Sequence, residues 1–533
     1  MNTERIYILV LIFSFVSRLL YLLYFPLQYT DFYLINTAAE NLIDGHGMGY
    51  MRTSHTDISS FYFEGLRLWP PMVTATVALF LKITGDPVIA NSLAIGIILI
   101  FLFYYTDRLL TDLNLTIRTR LLVILLLGIN PDLIKHPGLS DLAAATFLIG
   151  ACSACYRLLI KADARTNKQL VLIGILLFLP TAFRYQFYPL SFFLPFLLII
   201  LSIYLKENNH RKNAWRLILT VTILSIAQEL FLYIYTNQLL SESVSMDDNG
   251  IFLYNLRYIY PFFLKSFLNI SYLENLKMDL IKQYGVFYSA GIITAFIVWA
   301  GLIIAKIKQT KNSLVRKRVS SGIILLLIAI VIPVLTLCLL SLMHNSRNGL
   351  PGGWTYVLEG RYYIGASLLT IILVAWQLEH GIPKIKSAFK KVAKIMVAFV
   401  LLYNMVSTLK FYYNIYNKNI PDKEIQNRSE RKDIETVIDV LKNDTNKLVI
   451  CSNEPYFAYH KYKRNVAISQ KVTTLVKQQI STTKKVRLLV ITGKLKTMDE
   501  IAFIKQTGAV LIKALTNCQL YITTVEPTRN TSK

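Results

Sequence analysis

Charged residues are scarce in this sequence. They make up 17% of its 533 residues, whereas hydrophobic residues make up 54%, and an average soluble domain has about 25% charged residues. The apolar residues come in blocks of about 20, the length that crosses a hydrocarbon layer as a helix. These blocks lack the alternation of apolar and polar residues that a membrane barrel requires. The sequence therefore excludes an ordinary soluble protein and predicts a mainly α, polytopic bundle of transmembrane helices.

The apolar blocks predict about eleven membrane spans. The first block lacks a small-residue cleavage site, so we interpret it as an uncleaved anchor and not as a signal peptide. The predicted spans, numbered one to eleven, are Ile6–Phe25, Pro87–Leu110, Leu121–Ile134, Leu142–Ile160, Leu170–Phe183, Tyr188–Leu205, Leu217–Tyr235, Gly285–Ile307, Gly322–Met343, Tyr362–Leu378 and Val392–Tyr412.

Cations are rare in one set of loops and frequent in the other. The segment from Pro26 to Asp86 contains only Arg52, Arg67 and Lys82. Because Lys and Arg collect in cytoplasmic loops, one orientation satisfies every loop, with the N-terminus inside and the C-terminus outside. The net charge of +25 is then largely the inner-loop excess, which faces anionic lipid and needs no nucleic acid partner. The inner loops include Arg108, Arg118, Arg120, Arg157, Lys161, Arg211, Lys306, Arg318 and Lys384.

The segment Trp69–Thr84 is apolar enough to be a further span, but counting it would invert every later loop. We interpret it as a short re-entrant or surface helix on the outer side, opened by Pro70 and Pro71. It belongs to a large first outer loop, residues 26–86, within a transmembrane domain of residues 1–415. Long loops of this kind are often functional.

Residues 416–533 differ from the rest of the chain. An amphipathic helix at Ile434–Leu441 is followed by four β-like runs, which predicts a small extracytoplasmic α/β domain. No Gly-rich phosphate loop follows any of these strands, which favours a structural or acceptor-docking module. The predicted strands are Lys447–Ser452, Val486–Thr492, Ala509–Lys513 and Leu520–Thr524.

Cysteine is also scarce, with five residues. Cys152 and Cys155 form a CxxC inside an apolar span, where small residues of this kind usually pack. Cys451 and Cys518 lie in or beside predicted outer strands, where a disulfide is chemically allowed. The sequence leaves their pairing open.

Two carboxylates lie at the predicted outer ends of spans. Asp31 follows the first span, in a segment that suits a short helix from Asp31 to Asp44, and Asp141 begins the fourth span after Ser140. Either acid can serve as a helix cap. Alternatively, the two could bind one divalent metal ion, or one could act as a base while the other serves the phosphate. Asp132 is a third candidate, nearer the end of the preceding span.

Two cations lie near the same predicted face. Arg184 joins two spans almost without a loop, and Arg361 opens the tenth span after a Gly-rich segment. An arginine at the membrane edge often reaches out to lipid headgroups. The functional alternative is bidentate binding of a lipid phosphate.

The order of these motifs resembles the GT-C superfamily of membrane glycosyltransferases, and most closely the branch of protein O-mannosyltransferases and lipid A aminoarabinose transferases. The motifs are Asp31-Phe-Tyr running into AAENLIDGHGMGY, a Trp-Pro-Pro turn opening a helix that ends in KITGD, and Ser140–Asp141. Phe183–Tyr185 and Arg361–Tyr362 follow. The resemblance covers about residues 1–380 and depends on order and placement.

The resemblance implies an inverting transferase that uses a polyprenyl-phosphate-linked sugar at the outer membrane face. Asp31 would act as base on the acceptor hydroxyl or orient it, and Asp141 would match the acid associated with metal or phosphate contacts. Phe32 and Trp69 stand where many relatives have further charged residues, so metal dependence and donor class stay open. The substrate-binding candidates are Arg67, Arg184 and Arg361, for the lipid phosphate, together with Tyr33, His136 and Tyr362.

The main rival interpretation is a transporter or flippase. It predicts ionisable residues at the bilayer midplane, where this chain has few, such as Arg18 and Glu229, and an internal repeat, which the sequence lacks. As partners we expect the lipid-linked donor, membrane lipids and a glycan, lipid or protein acceptor. We expect a bacterial inner membrane, with the C-terminal domain in the periplasm. The sugar, the acceptor and the oligomeric state stay open.

Overall fold

The chain is described here as a computed structural model. The structure describes residues 3–24, 30–54, 56–66, 69–129, 138–160, 166–236, 278–309, 314–342, 363–380, 420–441, 447–453, 464–469, 482–494 and 496–527, with single residues and a short helical stretch between 395 and 417, and with residues 472 and 475.

The described part of the chain is mostly helical. Its α-helices are α1 (Thr3–Tyr24), α2 (Thr30–Ile43), α3 (Pro71–Thr84), α4 (Pro87–Asp112), α5 (Ile117–Gly128), α6 (Leu139–Ile160), α7 (Asn167–Phe183), α8 (Tyr188–Leu205), α9 (Asn208–Thr236), α10 (Met278–Gln309), α11 (Leu314–Leu342), α12 (Ile364–His380), α13 (Ile420–Leu441) and α14 (Met498–Thr507).

Six of the described helices are long and apolar enough to cross a membrane, and four shorter apolar helices accompany them. The first ten predicted spans each fall on a helix, and the sixth has the predicted bounds, Tyr188–Leu205. The third is shorter in the described residues, ending at Gly128, and of the eleventh a stretch at Ala398–Lys410 is described. The count of about eleven spans and their orientation stay predictions.

The chain divides into two compact units. The helical unit consists of Met1–Leu22, Ser92–Phe231 and Leu240–Asn414. The sheet unit consists of Leu23–Asn91, Leu232–Leu239 and Ile415–Lys533. The large first outer loop therefore clusters with the C-terminal residues, while the predicted domain boundary near residue 415 stays a prediction.

Helix α6 is the central helix of the helical unit. In its most apolar stretch 83% of the residues are buried, against 11% for α10. Small residues on neighbouring helices allow close approach, as is common in membrane bundles. A Cβ on Gly322 of α11 would lie 2.4 Å from the Tyr156 ring of α6, and one on Gly365 of α12 would lie 2.9 Å from Leu148. Both glycines thus permit the packing around α6.

The sheet unit is built on one seven-stranded mixed sheet. Its strands are β1 (Gly49–Thr53), β2 (Phe61–Gly65), β3 (Lys447–Ser452), β4 (Val466–Ile468), β5 (Val486–Gly493), β6 (Val510–Ala514) and β7 (Cys518–Val525), in the order β2-β1-β4-β3-β5-β7-β6. Strand β3 pairs in parallel with β4 and β5, and β7 pairs antiparallel with β5 and β6. All four predicted strands are present, within one or two residues of their predicted bounds.

The hairpin β1–β2 comes from the first outer loop, and the sequence did not predict it. Strand β1 joins the C-terminal strands through a parallel bridge between Arg52 and Ile468. Between the two hairpin strands, Ile58 is buried in the core formed by residues such as Val449 and Phe503. The loop and the tail therefore share one hydrophobic core.

A carboxylate fixes the tip of this hairpin. Asp57 Oδ2 accepts a hydrogen bond of 2.7 Å from Thr483 Oγ1, and its Oδ1 accepts one of 2.6 Å from Ser59 Oγ. Lys447 Nζ donates to the Ser59 carbonyl at 2.7 Å. Burial raises the pKa of Asp57, but the hydrogen bonds from Ser59 and Thr483 outweigh burial and lower its pKa to about 2.

All five cysteines are free thiols. Cys451 is buried in β3 and accepts a hydrogen bond from Ser469 Oγ at 2.9 Å, so it packs as a small core residue. Burial raises the pKa of the Cys451 and Cys518 thiols to about 12. The disulfide that the sequence allowed is absent from the structure.

Candidate functional site

The predicted site residues Asp141 and Arg184 form an ion pair within the helical unit. Asp141 lies in the first turn of α6, and its side chain is 2% exposed. Arg184 Nε lies 2.8 Å from Asp141 Oδ1, and the arginine side chain keeps 14% of its surface exposed. A buried carboxylate requires such a partner, because an isolated charge in a low-dielectric interior is costly. The arginine is therefore the member of the pair that a ligand can reach.

The junction between α7 and α8 holds Arg184 in place. Pro180 lies in the last turn of α7, and the Arg184 N–H donates to the Pro180 carbonyl at 2.9 Å. Arg184 itself is extended, with φ −153° and ψ 117°, and a short 3₁₀ turn follows at Tyr185–Phe187. Across the junction, Thr181 and Ser191 hydroxyls are hydrogen-bonded at 2.6 Å. The short connection thus presents the guanidinium to α6 with little freedom.

A second polar cluster follows directly on this junction. Tyr188, the first residue of α8, donates from its hydroxyl to Glu229 Oε1 at 2.5 Å and accepts from Gln228 Nε2 at 3.0 Å. The Tyr185 and Tyr188 rings are stacked with centroids 6.2 Å apart. Glu229 stands only about two turns before the end of α9. The sequence showed Glu229 as an ionisable residue in an apolar span, but not its partner on α8.

Asp31 and Tyr33 lie on α2, in the sheet unit. The helix begins at Thr30, and Asp31 is its second residue, with a side chain outside the described part. Tyr33 is buried, at 7% exposure. The helix ends as predicted, at a turn where Gly45 and Gly47 have positive φ.

Two buried amides fix helix α2. Asn36 Oδ1 accepts a hydrogen bond of 2.7 Å from Asn91 Nδ2 at the start of α4. Asn41 Nδ2 donates to the Gly49 carbonyl of β1 at 2.6 Å. The helix that carries Asp31 is therefore anchored to the hairpin that completes the sheet.

Solved structures with a similar fold are membrane glycosyltransferases. ArnT from Cupriavidus metallidurans, bound to undecaprenyl phosphate, matches with a TM-score of 0.52 and 9% identity over 98% of this chain and 98% of that chain. The predicted resemblance to the GT-C superfamily is confirmed at the level of the fold.

The mycobacterial arabinofuranosyltransferase AftD also has a similar fold. It matches with a TM-score of 0.51 and 11% identity over 97% of this chain, which spans 40% of the length of AftD. The sequence itself matches no protein-family model and no curated protein.

The structure brings together two of the predicted site residues, Asp141 and Arg184. Asp31 and Tyr33 belong to the sheet unit. Four further candidates, Arg67, His136, Arg361 and Tyr362, lie outside the described residues, as does Asp132.

Metal binding at the site stays a hypothesis that concerns Asp31 and Asp141. In the described ranges, no group of three or more His, Cys, Asp or Glu residues is placed to hold a metal ion. Of these two carboxylates, only Asp141 has contacts in the described part of the chain, and it forms an ion pair with Arg184.

Proposed function

We propose that this protein transfers a sugar from a polyprenyl-phosphate-linked donor to an acceptor hydroxyl at the outer face of a bacterial inner membrane. The observation that carries the proposal is the full-length likeness in fold to ArnT, a protein solved with undecaprenyl phosphate bound. The ion pair at the α7–α8 junction supports it, because it orients the guanidinium of Arg184, a candidate contact of the lipid phosphate, and leaves 14% of that side chain exposed.

The burial of the Asp141 side chain suggests different roles for the two acids. Asp141 is buried and paired, so it positions Arg184 and does not itself meet the acceptor. Asp31, in the first turn of α2, is the proposed base that takes the proton of the acceptor hydroxyl. The acceptor oxygen then displaces the polyprenyl phosphate from the sugar carbon in one step, which inverts that carbon.

Arg184 acts on the leaving group. The bond from the sugar carbon to the phosphate oxygen breaks as the new bond forms, and the departing oxygen gains negative charge. A guanidinium that is already oriented stabilises this charge without reorganising. Arg67 and Arg361 are further proposed contacts of the same phosphate, and Tyr33, His136 and Tyr362 are proposed contacts of the substrates.

The test is transfer of radiolabelled sugar from a panel of polyprenyl-phosphate donors in proteoliposomes. We expect Asp31→Asn to lower the rate about 100-fold or more, the usual contribution of a positioned base. Arg184→Gln should lower it by a similar factor. The matched control is Asp107→Asn, which removes the carboxylate of another arginine pair, Asp107–Arg120, and should keep wild-type transfer.

Wild-type rates in the Asp31 variant would disprove the base assignment, and wild-type rates in the Arg184 variant would disprove the phosphate assignment. Absence of transfer with every donor, together with flux of a lipid-linked or polar substrate across the membrane, would replace the transferase with a transporter.

A further inference from the structure

A cavity of about 300 Å³ lies in the helical unit, at the other end of α6 from Asp141. It is bounded by the last turns of α4 and α6 and the first turns of α7. Asp141 and Arg157 are sixteen residues apart on α6, which is roughly 24 Å along the axis of a helix. The cavity is therefore separate from the proposed transfer site. Its polar lining consists of Arg108, Ser153, Arg157 and Gln169.

The cavity has an excess of positive charge. Arg157 Nε lies 2.5 Å from Asp112 Oδ2, and Ser153 Oγ donates to the same oxygen at 3.3 Å. Arg108 donates to the Tyr104 hydroxyl at 2.8 Å, and within the described ranges no carboxylate pairs with it. The described residues at the cavity thus include two guanidiniums and one carboxylate that pairs with only one of them, and arginine keeps its charge in proteins. An anion in the cavity would neutralise the excess.

The lining of the cavity also has hydrogen-bond donors that an anion could use. Arg157 uses Nε for Asp112, so its two terminal nitrogens can still donate. The Gln169 side-chain oxygen accepts from the Thr166 N–H at the start of α7, which directs that oxygen to the helix cap and leaves the amide nitrogen as donor. Phosphate oxygens accept bonds from such donors, often bidentately from arginine.

One wall of the cavity is apolar and open to the side. Leu172 and Leu176 of α7 line it, and Leu172 is 53% exposed beside Val171 at 47%. On a helix that is apolar over most of its length, such side chains face lipid tails. A ligand that fits both parts has an anionic head and a hydrocarbon chain.

We propose that this cavity binds the phosphate group of an anionic membrane glycerolipid, whose acyl chain lies along α7. Arg108 and Arg157 contact the phosphate. Both arginines lie near the ends of helices that the sequence predicts to face the cytoplasmic side, where basic pockets between helices attract anionic headgroups. The site does not depend on the proposed transferase activity.

The test is native mass spectrometry of the full, delipidated chain titrated with phosphatidylglycerol or phosphatidylcholine. We expect wild type to bind phosphatidylglycerol more tightly than phosphatidylcholine. Arg108→Gln should weaken phosphatidylglycerol binding about tenfold, the effect of losing one charge-assisted hydrogen bond. Ala154→Phe, which fills the cavity, should abolish it. The control Arg118→Gln removes the same charge from an exposed position on α5 and should leave binding unchanged.

Three results would overturn the proposal. One is equal affinity for the two lipids. Another is wild-type affinity in both Arg108→Gln and Ala154→Phe, each shown to be folded by its circular dichroism spectrum. The third is displacement of the lipid by millimolar inorganic phosphate. This result would identify a site for a free anion that does not require an acyl chain.

Discussion

The helical unit and the sheet unit are assembled over very different distances along the chain. In the helical unit, α6, α7 and α8 follow one another with short connections, and Arg184 takes its position from the junction that contains it. In the sheet unit, β1 lies beside β4, more than 400 residues later, and Asp57 bonds to Thr483. Neighbouring segments thus form the Asp141–Arg184 site of the first unit, whereas segments more than 400 residues apart must meet to complete the sheet of the second.

The Asp141–Arg184 site and the tip of the hairpin hold their carboxylates differently. The helical unit pairs charges, as in Asp141–Arg184 and Glu207–Arg318, because a charge among apolar helices needs a counter-charge. At the hairpin tip of the sheet unit, Asp57 is instead held by neutral hydroxyl and amide donors. Loss of one partner should therefore cost more in the helical unit.

The largest expected effect is on the buried ion pair. Arg184→Met leaves the Asp141 carboxylate, which is 2% exposed, without this partner. Breaking a buried pair in this way costs about 3–5 kcal/mol. We expect a clear fall in the melting temperature of the full chain in detergent micelles.

The double variant Asp141→Asn/Arg184→Met provides the control for that experiment. It removes both charges, so most of the stability should return while the proposed sugar transfer stays lost. If the single variant has the melting temperature of wild type, the ion pair does not contribute to stability. The proposed difference between the two units would then be wrong.

A smaller effect is expected from one methyl group in the hairpin. A Cβ on Gly49 would lie 2.1 Å from the Glu64 carbonyl oxygen, so Gly49→Ala must separate β1 from β2. Overpacking of this kind costs about 1–3 kcal/mol. We expect faster hydrogen exchange of the amides in Gly49–Thr53 and Phe61–Gly65, measured by mass spectrometry.

Gly291→Ala on α10 is the matched control in the helical unit. A Cβ there meets nothing within 4 Å, and alanine favours a helix over glycine by up to about 1 kcal/mol. Its melting temperature should be unchanged or higher. Equal hydrogen exchange in Gly49→Ala and wild type would show that the hairpin strands are not paired as described.

The smallest expected effect concerns Asp57 and pH. Its pKa is lowered to about 2 in the folded protein, against about 3.9 in an unfolded chain. The stabilising contribution is thus complete above about pH 4 and is lost as the pH falls through about 2. Hairpin protection, corrected for the pH dependence of chemical exchange, should decrease over this window in wild type.

The variant Asp57→Asn isolates that contribution. At pH 7 it should lower hairpin protection by about 1 kcal/mol, the usual net value of a hydrogen bond. It should also remove the pH dependence below pH 4. A variant that keeps the wild-type acid profile would assign the titration to another group.

Much of the fold could be predicted because a run of apolar residues indicates a helix or strand that is buried or in contact with lipid. Tyr188–Leu205 has the predicted bounds, and Lys447–Ser452 is a strand over the predicted residues. The apolar segment Trp69–Thr84 contains the predicted short helix, with Pro71 at its first turn. In each case the pattern within one segment was sufficient.

Other features could not be predicted, because they depend on partners far along the chain. Strand β4 has three residues, too few for a pattern, and β1 and β2 have mixed polarity. The partner of Glu229 is 41 residues away on another helix. The sequence did suggest both Asp141 and Arg184, but only the structure places one against the other.

The shared sheet has a consequence for how the protein is synthesised. The hairpin leaves the ribosome early, and its partner β4 follows about 400 residues later; at 5–20 residues per second, this is a delay of roughly 20–80 s. During that interval the edge of β1 has no strand beside it, and open edges invite wrong pairing. A nascent chain that stalls before residue 466 keeps this exposed edge, which distinguishes it from a finished molecule.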